Sequence, residues 1–139
     1  MTTSPLAERL KAVALFANLS QRQLRHVASR GWEHTFPAGR VLCQEGRAAD
    51  EFFVILEGTA EVGRGSKKLR TLRVGDYFGE IALLDNAART ATVVATTPLR
   101  CFLLGRSEFK SVIYEEDLAV KLLFTMAQRL RAAERLAAD

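Results

Sequence analysis

Residues 78 to 92 read Phe-Gly-Glu-Ile-Ala-Leu-Leu-Asp-Asn-Ala-Ala-Arg-Thr-Ala-Thr, and their types and spacing suit chemistry on an anion. Gly79 and Glu80 open a short apolar run, and Arg89 follows nine residues after Glu80. If Ile81 to Leu84 form a helical turn, its first backbone N–H groups lack internal partners and lie at the positive end of the helix dipole, which makes a small anion site. Gly79 lets the backbone come close to the guest. Across the loop Asp85-Asn86-Ala87-Ala88, Arg89 offers a planar guanidinium fork that suits two phosphate oxygens. Glu80 cannot bind that anion, but an ionised carboxylate only accepts hydrogen bonds and so suits a sugar hydroxyl beside it. These residues describe a ribose phosphate as the guest.

The elements that must hold this segment in place are legible as a change of texture along the chain. Leu6, Leu10, Val13, Ala14 and Phe16 recur at helical spacing, and Ser20 with Gln23 forms a capping-box pattern ahead of Leu24, Val27 and Ala28. From Trp32 to Leu104 short apolar or alternating runs are separated by Gly39, Gly46, Gly58, Gly63, Gly65, Gly75 and Pro98, which predicts antiparallel strands over 32–36, 41–44, 51–57, 59–64, 67–73, 92–95 and 99–104. Pro37-Ala38-Gly39 suits a tight turn, and Gly63-Arg64-Gly65-Ser66 suits a hairpin whose tip carries the dense basic charge of residues 64–73, read as a solvated loop.

After Gly105 the helical period returns. Ser107 is placed to cap a short helix through Phe109, Val112 and Ile113, and Asp117 to cap a longer one. In that last segment Ala119, Leu123, Met126, Leu130, Ala133 and Ala137 alternate four and three apart, a coiled-coil-like seam that would make a homodimer. The equal alternative is that Leu122, Leu123, Phe124 and Met126 dock the helix on the β core. The predicted fold is α+β and mainly β: one domain over 1–139, with N-terminal helices over 1–30, a jelly-roll-like antiparallel β-roll of about eight strands over 31–105, a short helix within 78–92, and C-terminal helices over 106–139.

With 139 residues, 48% of them hydrophobic, the chain buries one substantial core rather than two. No stretch approaches the roughly 18 apolar residues needed to span a membrane, and Met1 to Pro5 lack the pattern of a signal peptide, so a cytoplasmic location is expected. The net charge of +4 comes from residues scattered over the chain, which assigns no nucleic-acid partner. Cys43 and Cys101 sit in apolar strand contexts and are expected to be buried thiols. Metal-dependent enzymes on a β-roll, of the cupin type, need clustered histidines, whereas His26 and His34 stand on different elements. No Ser-His-Asp or Cys-His arrangement is evident, so a binding module without metal or cofactor is expected, not an enzyme.

Segment 78–92 resembles the phosphate-binding cassette of cyclic nucleotide-binding domains, whose pattern runs Phe-Gly-Glu-Leu/Ile-Ala-Leu, a short loop, Arg, a small residue, Ala and a β-branched strand. Phe16 to Ser20, Phe36 to Gly39 and Phe53 to Gly58 resemble the family's helical lead-in, early turn and central strand, so the resemblance covers the whole chain. It implies that Glu80 takes the ribose 2′-hydroxyl and Arg89 the cyclic phosphate. It also implies that the backbone N–H groups of Ala82 and Thr90 add phosphate contacts, and that Gly79, Ile81 and Ala91 complete the pocket. Ala88 departs from the pattern, since many members carry proline there; this should loosen the loop without removing a ligand contact.

A hydroxyl at Thr90 occurs in members that favour cGMP and in cAMP sensors; cAMP is expected first and cGMP as the alternative. By position, the base should lie on Val62 and Val74 and be covered by Leu122 and Met126. The implied function is a sensor whose C-terminal helices shift on ligand binding to address an effector. Members of the catabolite-activator type continue into a helix-turn-helix, and the chain stops at Asp139 before one, so no DNA contact is expected from this segment.

Overall fold

A computed structural model describes residues 5–115 and 118–138; Asp117, expected to cap the last helix, lies outside them. Helix α1 (Pro5–Lys11) and a short 3₁₀ turn (Ala14–Phe16) precede α2 (Gln21–Arg30). One continuous helix from Leu6 to Phe16 was expected, and the chain instead breaks at Val13, whose backbone is extended. The break changes the phase, so that Ala14 is exposed while Leu15 is buried with Val13 and Phe16. The capping box at α2 forms as read: the Ser20 hydroxyl accepts from Gln23 N and the Gln23 side chain accepts from Ser20 N.

Eight strands follow: β1 (Trp32–Phe36), β2 (Val41–Cys43), β3 (Glu51–Glu57), β4 (Ala60–Arg64), β5 (Lys67–Leu72), β6 (Tyr77–Phe78), β7 (Thr92–Ala95) and β8 (Leu99–Gly105). They form two four-stranded antiparallel sheets, ordered β1-β8-β3-β6 and β2-β7-β4-β5. Strand β3 explains the layering. Its alternate residues Phe52, Val54 and Leu56 face the helices, and Phe53 and Ile55 face the opposing sheet. Strand β8 divides in the same way, with Phe102 and Leu104 on one side and Leu99, Cys101 and Leu103 on the other. A strand buried on both faces reads as a continuous apolar run, as Phe52 to Leu56 does.

Helix α3 (Glu80–Asp85) leaves the roll between β6 and β7, and α4 (Arg106–Glu115) and α5 (Ala119–Ala138) close the chain. Helix α4 begins one residue before the expected Ser107 cap, directly at the end of β8, so Ser107 lies inside its first turn. Of the two readings of α5, the docking residues Leu122 and Met126 do pack against the helix-side core, while Phe124 of that set and the seam residues Leu123 and Leu130 are exposed. The side chains of Ala133 and Ala137 lie outside the described residues. Among the described residues no helix is long and apolar enough to cross a membrane.

Candidate functional site

Gly79 is the N-cap of α3 and adopts φ +94°, a left-handed conformation that glycine reaches without strain. A Cβ there would stand 2.9 Å from Arg89 Nη1 and 3.0 Å from the Glu51 carbonyl oxygen. Gly79→Ala is therefore expected to destabilise the fold by about 1–2 kcal/mol from backbone conformation, plus the displacement of Arg89. Thermal unfolding would register this as a midpoint lower by several degrees.

Arg89 is 7% exposed. Its Nη1 donates to the Gly79 carbonyl at 2.8 Å and its Nη2 to the Glu51 carbonyl at 2.8 Å, so strand β3 and the cap of α3 together orient the guanidinium. The arginine backbone is also fixed: Arg89 N donates to the Arg47 carbonyl, and Gly46 N donates to the Arg89 carbonyl. The adjoining Thr90 carbonyl accepts from Arg64 Nε at 3.0 Å, which ties the β4–β5 hairpin to the loop. At its other end Asn86, with φ +58°, accepts on Oδ1 from Arg106 and Lys110 of α4, and Arg106 also donates to the Ala49 carbonyl.

Glu80, the first residue of α3, is 3% exposed. Burial raises its carboxyl above the usual carboxylate range, and its own backbone N–H, then Arg129, Arg70 and Arg89, act against that rise. Three guanidinium groups thus surround one buried carboxylate, which leaves the site an excess of positive charge suited to an anionic guest.

The expected site residues Gly79, Glu80, Ile81, Ala82, Arg89, Thr90 and Ala91 all line one cavity of about 80 Å³, together with Val62. Val74 does not join them; it is 63% exposed in the turn after β5. Leu122 and Met126 do not reach the cavity either, because both pack into the helix-side core. The side chain that α5 does bring to the site is Arg129, whose Nη1 donates to Glu80 Oε1 at 3.1 Å. Its guanidinium also lies over the Tyr77 ring, 4.7 Å from the centroid.

Arg70 is exposed, as the reading of a solvated basic hairpin expects, but that reading did not bring it to the site. Arg70 pairs in register with Val62 and lines the cavity, and partial desolvation against the cavity wall is the main cause holding its guanidinium below the usual arginine range. The alternation of β5 carried that signal, since Leu72, two residues on, is buried between the sheets. Cys43 also lines the cavity, its thiol pushed up to about 11 by burial despite the nearby Arg89. The histidines serve structural contacts: His26 pairs with Glu115 at 2.7 Å, and His34 packs edge-on against Phe36.

The chain that carries this arrangement has relatives among known proteins. The family model for the cyclic nucleotide-binding domain matches residues 33–116. The chain is 37% identical to the cGMP-dependent protein kinase, isozyme 1, of Drosophila melanogaster, over 75% of this chain and 15% of that protein. It is also 37% identical to the cAMP-dependent protein kinase regulatory subunit of Eremothecium gossypii, over 75% of this chain and 23% of that one. It therefore spans less than a quarter of either relative's length. Among solved structures, cAMP bound PfPKA-R (141-441) superposes with a TM-score of 0.85 at 26% identity, covering 96% of this chain and 46% of that one. The chain belongs to the cyclic nucleotide-binding domain family.

Proposed function

We propose that this chain senses a cyclic purine monophosphate, binding the cyclic phosphate with Arg89 and the backbone N–H groups of Ala82 and Thr90, and the ribose 2′-hydroxyl with Glu80. The observation that carries this reading is the convergence of Arg89, Glu80 and the glycine-capped start of α3 on one cavity. The chemistry required is recognition rather than bond making, so the reading calls for no cofactor and no catalytic residue. Output would pass through the C-terminal helices, because the loop that follows α3 is fastened to α4 by the bonds from Arg106 and Lys110 to Asn86. The effector would be a protein or domain that meets those helices.

For the base, cAMP is the expectation from the sequence, and Arg70 favours cGMP as a second reading. A guanidinium only donates hydrogen bonds, and guanine presents two acceptors, O6 and N7, on one edge, whereas adenine places an amino group beside N7. Thr90, at the same cavity, offers its hydroxyl to the guanine amino group.

Calorimetric titration with cAMP, cGMP and 5′-AMP tests both statements. The expected result is saturable binding of a cyclic nucleotide in preference to 5′-AMP, and a folded protein that binds none of them would overturn the function. If cGMP is the preferred ligand, Arg70→Ala should lower its advantage over cAMP by about fivefold to a hundredfold; an unchanged ratio would remove Arg70 from base recognition.

A further inference from the structure

The peptide planes on either side of Thr90 are held by different parts of the molecule. A trans peptide is flat, so holding its carbonyl also aims the N–H that follows. The Arg89 carbonyl accepts from Gly46 N at 2.9 Å, which aims the Thr90 N–H. The Thr90 carbonyl accepts from Arg64 Nε at 3.0 Å, which sets the plane leading into Ala91. A single hydrogen bond leaves a plane free to rock, and the second, joined to it through the Thr90 Cα, removes that freedom. Thr90 and Ala91 line the cavity but lie in a bend outside the strands, because the β4–β7 ladder ends at Gly63 and Thr92. A side chain from another element thus takes the place of a ladder bond here. Alternate residues of β4 share a face, so Arg64 follows Val62, which lines the cavity. The turn beside it is anchored in its own right: Gly65 N donates to Glu45 Oε1 at 3.0 Å, and Glu45 N donates to Thr92 Oγ1 at 3.0 Å. A tip fastened in this way turns Arg64 to the loop at a smaller entropic cost than a free hairpin would.

We infer that Arg64 is a positioning residue for the cyclic phosphate: by holding the Thr90 carbonyl it fixes the backbone of Thr90, and with it the N–H that meets the guest. The inference rests on the proposed contact between that N–H and the phosphate. Arg64 lies outside the cavity lining, so its hydrogen bond acts on the ligand through Thr90. Its side chain is exposed, and the hairpin that carries it is therefore both a solvated loop and a brace for the cassette.

Because the donor is Nε, positioning can be separated from a general charge effect. Glutamine carries an uncharged amide N–H at the same place along the side chain, and methionine matches that length with neither donor nor charge. The full chain, as wild type, Arg64→Gln and Arg64→Met, is titrated with cAMP and cGMP, with folding followed by circular dichroism and the Thr90 and Ala91 amides by NMR order parameters. Arg64→Met is expected to weaken the preferred nucleotide about threefold to tenfold, whereas Arg64→Gln should stay within about twofold of wild type. The order parameters of the two amides should fall in Arg64→Met and hold in Arg64→Gln. Both variants lose the same charge, so an electrostatic role predicts equal weakening. Equal weakening by the two variants, or no change in either, would overturn the inference while leaving the sensor reading intact. Wild-type protein that binds no cyclic nucleotide would overturn both.

Discussion

Replacing Arg89 by alanine is expected to weaken cyclic-nucleotide binding by roughly one to four decades, about 2–5 kcal/mol, because a buried charged partner of the phosphate is lost. The magnitude follows from how the side chain is held. Its Nη1 and Nη2 are fixed on the Gly79 and Glu51 carbonyls, so a phosphate meets an oriented cation and does not have to order it. A guanidinium has five N–H donors, and with these two bonds made, others remain for the guest. The substitution also removes both charged hydrogen bonds to these carbonyls, so a stability loss of about 1–3 kcal/mol should accompany the loss of binding. Arg89→Lys keeps the charge but offers no fork, and is expected to fall between alanine and wild type. Calorimetry paired with thermal unfolding separates the two effects. An Arg89→Ala protein that is folded and binds like wild type would remove the phosphate site from this cavity.

The parts of the molecule that were legible in the sequence share a physical trait: each is specified by neighbours close along the chain. The α2 capping box depends on Ser20 and Gln23, three residues apart, and appears as read. Strand β3 was read with the bounds it has, because burial on both faces leaves no polar residue between Phe52 and Leu56. The cassette is likewise local, and all seven of its expected residues line one cavity.

What was not legible depends on packing between distant segments. Strand β6 has two residues, too few for alternation to register, and exists because Tyr77 and Phe78 pair with Val54 and Phe53. The break after α1 answers to the core, which takes Val13, Leu15 and Phe16 together and leaves Ala14 out. Val74 was chosen for its apolar side chain just beyond a strand, and the turn there points it to solvent. Arg70 and Arg129 were passed over because their charge was read as serving solvation alone. The periodicity of their own elements puts Arg70 in step with the buried Leu72, exposed but at the cavity's edge, and Arg129 in step with Leu122 and Met126. A cation in step with a buried face is a signal of a buried anion, which for Arg129 is Glu80.

Glu80→Gln is expected to abolish the preference for a 2′-hydroxyl. The ionised carboxylate accepts a charge-assisted bond from that hydroxyl, worth about 1.5–3 kcal/mol, so wild-type protein should favour the ribonucleotide over its 2′-deoxy analogue by roughly tenfold to a hundredfold. Glutamine keeps the shape but turns an amide on Arg129 or on the ligand and carries no charge, so the ratio should fall to near one. Affinity for the 2′-deoxy nucleotide should hold or rise, since Arg70, Arg89 and Arg129 then face the phosphate without a nearby carboxylate. Acid has the same effect on the wild type. Burial raises the Glu80 carboxyl, so protonation begins at a higher pH than for an ordinary carboxylate near 4.3. Ribonucleotide affinity should therefore decline as pH falls, and begin to decline before an ordinary carboxylate would protonate. The free protein changes in the opposite sense at this group, because a raised acid penalises the fold where it is ionised and the penalty is relieved on protonation. A fall in affinity with the fold intact therefore belongs to the site and not to unfolding driven by Glu80. Titrations of wild type and Glu80→Gln at neutral and mildly acidic pH should show the decline in the first and a flat response in the second. If Glu80→Gln keeps both the pH dependence and the preference for the ribonucleotide, the hydroxyl is read by another residue.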